Sequence, residues 1–305
     1  MSPGSSGILL IALVAAIGTP LQANLLIHPT YDTSITGNAN SAAIMGTIGT
    51  AISWYETTFA DPITVDITFV AGTSGLGSTS FSLYLLTYQD FYNALLADAT
   101  SQDDVTALAR LAVDGTGVNN PVTGSPQVFI KAPNARALGF ATSGGSDATI
   151  TFNAALTTPG SPGSSGTYNL LPVIFHEIDE ALGLGSTLGL NVQGSPSPED
   201  FFRFDNSGGR SFTAGNSATS YFSIDGATLL AQFNQTGSGD YGDWASTATQ
   251  RVQDAFATPG ANPTPGVEIR ALDVIGYDLA TPEPGTLLLL ATGLAGLALR
   301  RRLLN

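Results

Sequence analysis

The sequence predicts an α+β fold with a long, irregular carboxyl-terminal half. Three observations lead there. Apolar residues recur every three or four positions near residue 50 and again around residue 175. Strict apolar/polar alternation marks short stretches between them. Beyond Gly185 the chain becomes rich in Gly, Ser and Asn, with only brief apolar islands.

Taken in order, residues 1–23 carry the apolar run Ile8–Ile17 and close on Pro20-Leu21-Gln22-Ala23. That run has the length of a signal-peptide core and falls short of the ~20 residues a bilayer span needs, so cleavage after Ala23 is expected. No Lys or Arg precedes the run. His28 follows in Leu-Ile-His-Pro-Thr-Tyr and reads as an exposed or edge-strand residue.

Ala42–Phe59 has helical spacing, with Met45, Ile48, Ile52 and Tyr55 on one face and Pro62 beyond its end. Ile63–Val70 alternates with period two and reads as a strand, and Ser80–Leu86 as a second. Short helices are expected over Tyr88–Ala97 and Gln102–Ala112. Asp103 and Asp104 in the first turn of the latter suit its positive end. Pro121–Lys131 is expected to be extended, Ala148–Phe152 to be a strand and residues 157–167 a loop. A helix over Asn169–Leu184 precedes the irregular half, whose islands are Phe201–Phe204 and Tyr221–Ile224. Glu268–Ile275 reads as a last short helix. Residues 24–281 thus form one domain of ordinary enzyme size, and no repeat of solenoid period appears.

The tail is distinct. Pro282-Glu283-Pro284 leads into the uncharged run Gly285–Leu299 and then Arg300-Arg301-Arg302. As a helix that run covers about 22 Å, against a hydrocarbon core of about 30 Å, and the arginines hold it with the body outside. Residues 282–305 resemble the PEP-CTERM sorting signal of Gram-negative bacteria. The resemblance implies a short transmembrane helix in the inner membrane, processing by an exosortase near the Pro-Glu-Pro, and delivery to the cell surface or extracellular matrix.

The body is strongly acidic. Setting aside Arg300–Arg302 and Glu283, it holds seven basic residues against 23 carboxylates. Nucleic acid is therefore excluded as a partner class, because phosphate binding needs clustered Lys and Arg. There is no cysteine, which leaves His, carboxylate and water as metal donors.

The chemistry concentrates in His176-Glu177-Ile178-Asp179-Glu180-Ala181-Leu182-Gly183. In the H-E-x-x-H helix of zinc proteases, two histidines at i and i+4 hold the metal and the Glu acts as base. Here Glu180 stands at the second position, one turn from His176 and on the same face. A carboxylate is a legitimate Zn²⁺ ligand, although its charge weakens the metal's Lewis acidity. Gly183 matches the turning glycine of the longer metzincin pattern, where the third ligand position is Ser186 here. The third ligand is sought among Glu199, Asp200 and Asp205, with Asp225, Asp240 and Asp243 as further carboxylates. Asp240-Tyr-Gly-Asp243-Trp244 reads equally as a Ca²⁺-binding turn or an ordinary loop.

This helix is similar to the His-Glu-Ile-x-Glu-x-x-Gly segment of a metalloprotease family that often carries PEP-CTERM tails. Further matches follow in order: Glu199–Phe204, Tyr221–Gly226, Gly239–Trp244 and Leu272–Tyr277. The resemblance implies a metzincin-like zincin domain of mixed sheet, active-site helix and irregular second half, with Leu272–Tyr277 in place of a Met-turn and Tyr277 near the metal. The implied function is an exported, metal-dependent endopeptidase that acts on protein or peptide substrates. His176 and Glu180 would hold Zn²⁺ and Glu177 would be the base, while signal peptidase and exosortase would process the chain. The alternative is a non-catalytic surface or matrix protein on the same scaffold, binding Ca²⁺ through its carboxylates.

Overall fold

The computed structural model describes residues 24–111, 118–160, 166–190, 194–215 and 217–280. The expected signal segment 1–23 and sorting tail 282–305 lie outside them, as do residues 161–165 of the expected loop and Ala112 at the end of an expected helix. Ala23–Ala280 forms one compact unit. No helix among the described residues is long and apolar enough to cross a membrane.

The amino-terminal half begins β1 (Leu26–Tyr31), α1 (Thr33–Thr36), α2 (Ser41–Thr58), β2 (Thr64–Gly72), β3 (Gly77–Phe81) and β4 (Leu83–Thr87). It continues with α3 (Tyr88–Asp98), α4 (Gln102–Leu111), β5 (Gln127–Lys131), α5 (Ala132–Ala137) and β6 (Ala148–Asn153). Two paired two-residue strands, β7 (Thr157–Thr158) and β8 (Tyr168–Asn169), lead into α6 (Leu170–Leu182). Beyond it lie a 3₁₀ turn (Glu199–Phe202), the two-residue strands β9 (Arg203–Phe204), β10 (Tyr221–Phe222) and β11 (Ala231–Gln232), and α7 (Val267–Asp273). The architecture is mixed α+β.

The main sheet has the order β1-β2-β6-β3. β1, β2 and β6 run parallel, and β3 closes one edge antiparallel to β6, with Thr79 opposite Ile150. Alternation builds the inner strands: Val65, Ile67 and Phe69 of β2 and Ile150 and Phe152 of β6 are buried. The expected single strand Ser80–Leu86 is two. The chain leaves the main sheet at Ser82, and β4 pairs with β5 instead, Leu85 opposite Phe129. β1 carries His28 on the other edge, exposed and 3.4 Å from Asp66.

Two helices form the core beside the sheet. α2 buries Ile44, Ile48, Ala51, Ile52 and Tyr55, with Met45 only half-buried. α6 is apolar on most sides, as suits a helix packed between other elements. Ile174, Phe175, Ile178 and Leu182 are buried against β3, β6 and α2. Each such side chain contributes about 1.5–3 kcal/mol. Pro172 falls in the first turn of α6, where its missing N–H is harmless. Tyr55 locks the two helices together, its hydroxyl 2.6 Å from Asp179 Oδ1 and 3.0 Å from the Phe175 carbonyl. Burial, and after it the charge of Glu268, pushes the Asp179 carboxyl well above the usual range, with the Tyr55 hydrogen bond opposing.

Candidate metal centre

α6 presents His176 and Glu180 one turn apart, each lining a separate cavity. His176 Nε2 lies 3.8 Å from Glu180 Oε1 and 3.7 Å from Asp243 Oδ1. The three side chains are between 7 and 18 % exposed. Among the described residues, only this trio of His, Asp or Glu side chains brings one donor atom each within 4.8 Å of one another.

The geometry fits a small divalent cation on three counts. Donors each about 2.1 Å from one tetrahedral ion stand about 3.4 Å apart, so the observed gaps are of the right size and too long for hydrogen bonds. His176 Nδ1 lies 3.0 Å from the Val252 carbonyl. Donation to that oxygen orients the ring with Nε2 toward the carboxylates, the outer-shell arrangement usual for a metal-bound imidazole. Finally, Asp243 Oδ1 is buried without a hydrogen-bond partner. Such an orphan costs about 1–3 kcal/mol, a cost a cation would remove.

The electrostatics agree. Burial pulls the His176 pKa down, but Asp243, Glu177 and Glu180 outweigh it and raise the value to about 10. Burial, and then the Glu180 charge, lifts Glu177 to about 7. Burial raises Asp243 well above the ordinary range, with His176 opposing and Glu180 adding. A metal-free site holds its protons tightly, and a divalent cation would displace them.

Glu177 points to the side of this trio and is held from the edge strand. The Thr79 hydroxyl lies 2.6 Å from Glu177 Oε2 and 3.0 Å from its carbonyl. Gly77 leaves the space the carboxylate fills, since a Cβ there would fall 2.1 Å from Glu177 Oε1. A cavity of about 130 Å³ opens beside His176, Glu177 and Asp243, with Tyr168, Val173 and Arg251 on its walls.

Asp243 arrives from the irregular half by long-range contacts. Its carbonyl accepts from Asn234 N–H at 2.7 Å. Asp240 Oδ1 accepts from Gly242 N–H at 2.8 Å, and Arg203, itself buried, donates to the Tyr241 carbonyl at 2.6 Å. Gly242 is required where it stands, because a Cβ would lie 2.5 Å from Gly185 Cα in the turn after α6. Glu268 of α7 joins the two loops that meet at His176. Its Oε1 accepts the Trp244 indole N–H at 2.9 Å and Gln253 N–H at 3.2 Å, next to Asp243 and Val252 respectively.

The other sequence candidates lie elsewhere. Glu199 accepts from Gly185 N–H, and Asp200 from Thr187 and Ser197 N–H, both at 3.0 Å. Both are buried in the 3₁₀ turn behind the end of α6, where they fold the loop. Asp205 closes its own turn through Ser207 and Gly209 N–H, and Asp225 does the same through Ala227 and Thr228. Ser186 donates to Asp200. Tyr277, expected near the metal, instead donates to the Leu182 carbonyl at 2.7 Å. Thr79 and Lys131 carry no signal in the sequence. The alternation that marks a strand there starts at Ser80, one residue too late, and nothing local marks Lys131. Its ammonium caps α6, donating to the carbonyls of Glu180, at 2.7 Å, and of Leu184.

Residues 280–302 match the PEP-CTERM protein-sorting motif, which marks an exported chain. No curated protein and no solved structure matches the chain.

Proposed function

We propose that the protein is an exported metal-dependent endopeptidase with a zincin-like, metzincin-related body. The observation that carries this reading is the meeting of His176, Glu180 and Asp243 within 4.8 Å beside the buried carboxylate of Glu177. His176 Nε2, a Glu180 oxygen and Asp243 Oδ1 would hold Zn²⁺. When bound, the ion supplies Lewis acidity that polarises a peptide carbonyl and acidifies a water. Glu177, held by the Thr79 hydroxyl, would take a proton from the attacking water and return it to the leaving amine. Thr79 fixes which carboxylate oxygen faces the cleft. The free edge of β3 offers backbone groups along which an extended peptide can lie.

Two carboxylates in the donor set favour the second reading, a Ca²⁺-binding surface protein that does no chemistry, since Ca²⁺ takes oxygen ligands. The imidazole nitrogen speaks against it. In either case, residues 1–23 would be removed by signal peptidase, and the tail would pass through the inner membrane to an exosortase.

Metal content and casein hydrolysis, measured for the wild type and Glu177→Gln, decide between them. The endopeptidase reading expects one Zn²⁺ per chain in both proteins, with hydrolysis lost in the variant. Ca²⁺ in place of zinc, with no hydrolysis by either protein, would establish the alternative.

A further inference from the structure

We propose that Lys131 is the counter-charge of the candidate centre: its buried ammonium, fixed behind Glu180, offsets the negative charge that two carboxylate ligands and the Glu177 base gather around one divalent cation. The proposal rests on the reading of His176, Glu180 and Asp243 as metal ligands and assigns a role which that reading leaves open.

Lys131 is the only lysine among the 305 residues. It ends β5 and is 6 % exposed, although an ammonium is strongly hydrated and a lysine is seldom buried unless paired. Its surroundings replace the lost water. Nζ donates to the Glu180 carbonyl at 2.7 Å and to the Leu184 carbonyl. It also stands 3.8 Å from the centre of the Phe81 ring, whose π face attracts a cation.

A cap alone does not need this charge. The last carbonyls of a helix lack partners within it, and any donor can serve them. Tyr277 serves the Leu182 carbonyl of the same helix end with a neutral hydroxyl, at 2.7 Å. Two residues earlier the Glu180 carbonyl receives a charged group instead, which is harder to bury.

The neighbouring carboxylates account for the charge. Burial pulls the Lys131 pKa down, and Glu180, Asp240, Glu199 and Asp243 oppose it, Glu180 most strongly. Two of these four are carboxylates of the candidate centre, and Lys131 lines one cavity with Glu180. The other cations nearby lie with other carboxylates: Arg203 with Asp200 and Glu199, and Arg251 with Asp254.

With Lys131 included, the charges balance. A site of neutral imidazoles leaves both positive charges of Zn²⁺ uncancelled. Here Glu180 and Asp243 cancel them, and Glu177, ionised as a base must be, adds a negative charge beyond. Lys131 supplies the matching positive one. It thereby offsets the Lewis acidity that carboxylate ligands take from a metal. The accompanying cost is a weaker hold on the ion, because like charges repel.

That repulsion is the basis of the test. Zn²⁺ affinity is measured near neutral pH, by competition with a chromophoric chelator, for the full chain and for Lys131→Gln, Lys131→Met and Lys131→Arg. The thermal midpoint of each metal-free protein is recorded beside it. Loss of the charge should tighten Zn²⁺ binding about tenfold in the Gln and Met variants, while Lys131→Arg stays within about threefold of the wild type. Capping alone predicts otherwise for the neutral variants, a lower midpoint with equal or weaker binding. Equal or weaker binding in both overturns the proposal, and so does equal tightening in Lys131→Arg. If neither neutral variant folds, the cap itself needs the charge and the proposal falls as well. A wild type that binds no Zn²⁺ removes the metal-dependent reading along with it, whereas a wild type that binds while the neutral variants fail to tighten leaves that reading standing.

Discussion

His176 and Glu180 reach the centre from a helix whose apolar side chains are buried against a sheet and a second helix. Asp243 reaches it from a long irregular stretch between the two-residue strand β11 and the short helix α7. On the helical side, position follows from period: two residues four apart share a face whatever surrounds them. On the loop side, position is the sum of individual polar contacts, namely Asn234 to Asp243, Arg203 to Tyr241, and Glu268 to Trp244 and Gln253. The candidate centre therefore combines one pair of side chains placed by packing with one placed by hydrogen bonds, and the two sides should fail differently.

The largest effect is expected from removing the loop ligand itself. Asp243→Ala should lower Zn²⁺ affinity by more than about 100-fold, the upper end for losing an outer-shell partner. Asp243 also faces His176 at 3.7 Å and heads the charges that raise the His176 pKa, so the thermal midpoint of the metal-free protein should fall as that ion pair is lost. Metal titration and calorimetry on one sample check both halves. Unchanged affinity would remove Asp243 from the donor set.

Next comes the anchor behind the loop. Glu268→Gln replaces a carboxylate that accepts from Trp244, Gln253 and Gly266. A stability loss of about 1–3 kcal/mol is expected, with a roughly tenfold loss of metal affinity, at the low end for outer-shell changes. If stability falls and affinity does not, the loop holds Asp243 without this tie.

The packed half also contains an ionic strain, away from the centre. Burial, and then Asp278, raises Asp61 to about 8. A carboxyl raised in the folded state is more protonated there than in the unfolded chain, so stability falls as pH rises from about 4 to about 8. Asp61→Asn should flatten this part of the melting-temperature profile measured by calorimetry, whereas a profile as steep as wild type would assign the slope to other groups. The smallest effect belongs to Gly46, exposed in α2 and with nothing within 4 Å of the point where an alanine methyl would stand. Gly46→Ala should add about 0.5–1 kcal/mol and leave metal binding unchanged in the same titration.

The contrast also explains which parts could be read from the chain alone. α2, β2, β6 and α6 follow from local periodicity, and with them the His176–Glu180 pair. Of β1 only the exposed edge position of His28 is legible, because Pro29 and the exposed polar His28 and Thr30 break its apolar pattern and its parallel partner lies nearly forty residues on, Leu26 opposite Thr64. The break at Ser82 depends on which partner each half of the segment finds, and no residue type there signals it. Asp243 is one of six carboxylates that the sequence offers as the third ligand. What separates it from Glu199 and Asp200, equally buried, is a set of contacts from residues 203, 234 and 268 that no local pattern encodes.

The Glu268 tie also sets an order in time. A chain made from its amino end presents His176 and Glu180 early, on a helix whose partners α2 and β6 are already complete. Asp243 and Val252 follow, but the residue that joins their loops is the 268th, fifteen positions before the Glu283 of the sorting tail. The candidate metal site is thus among the last parts of the body that can close. In a chain exported before it has folded, loading would take place outside the cytoplasm and draw on the metals available there.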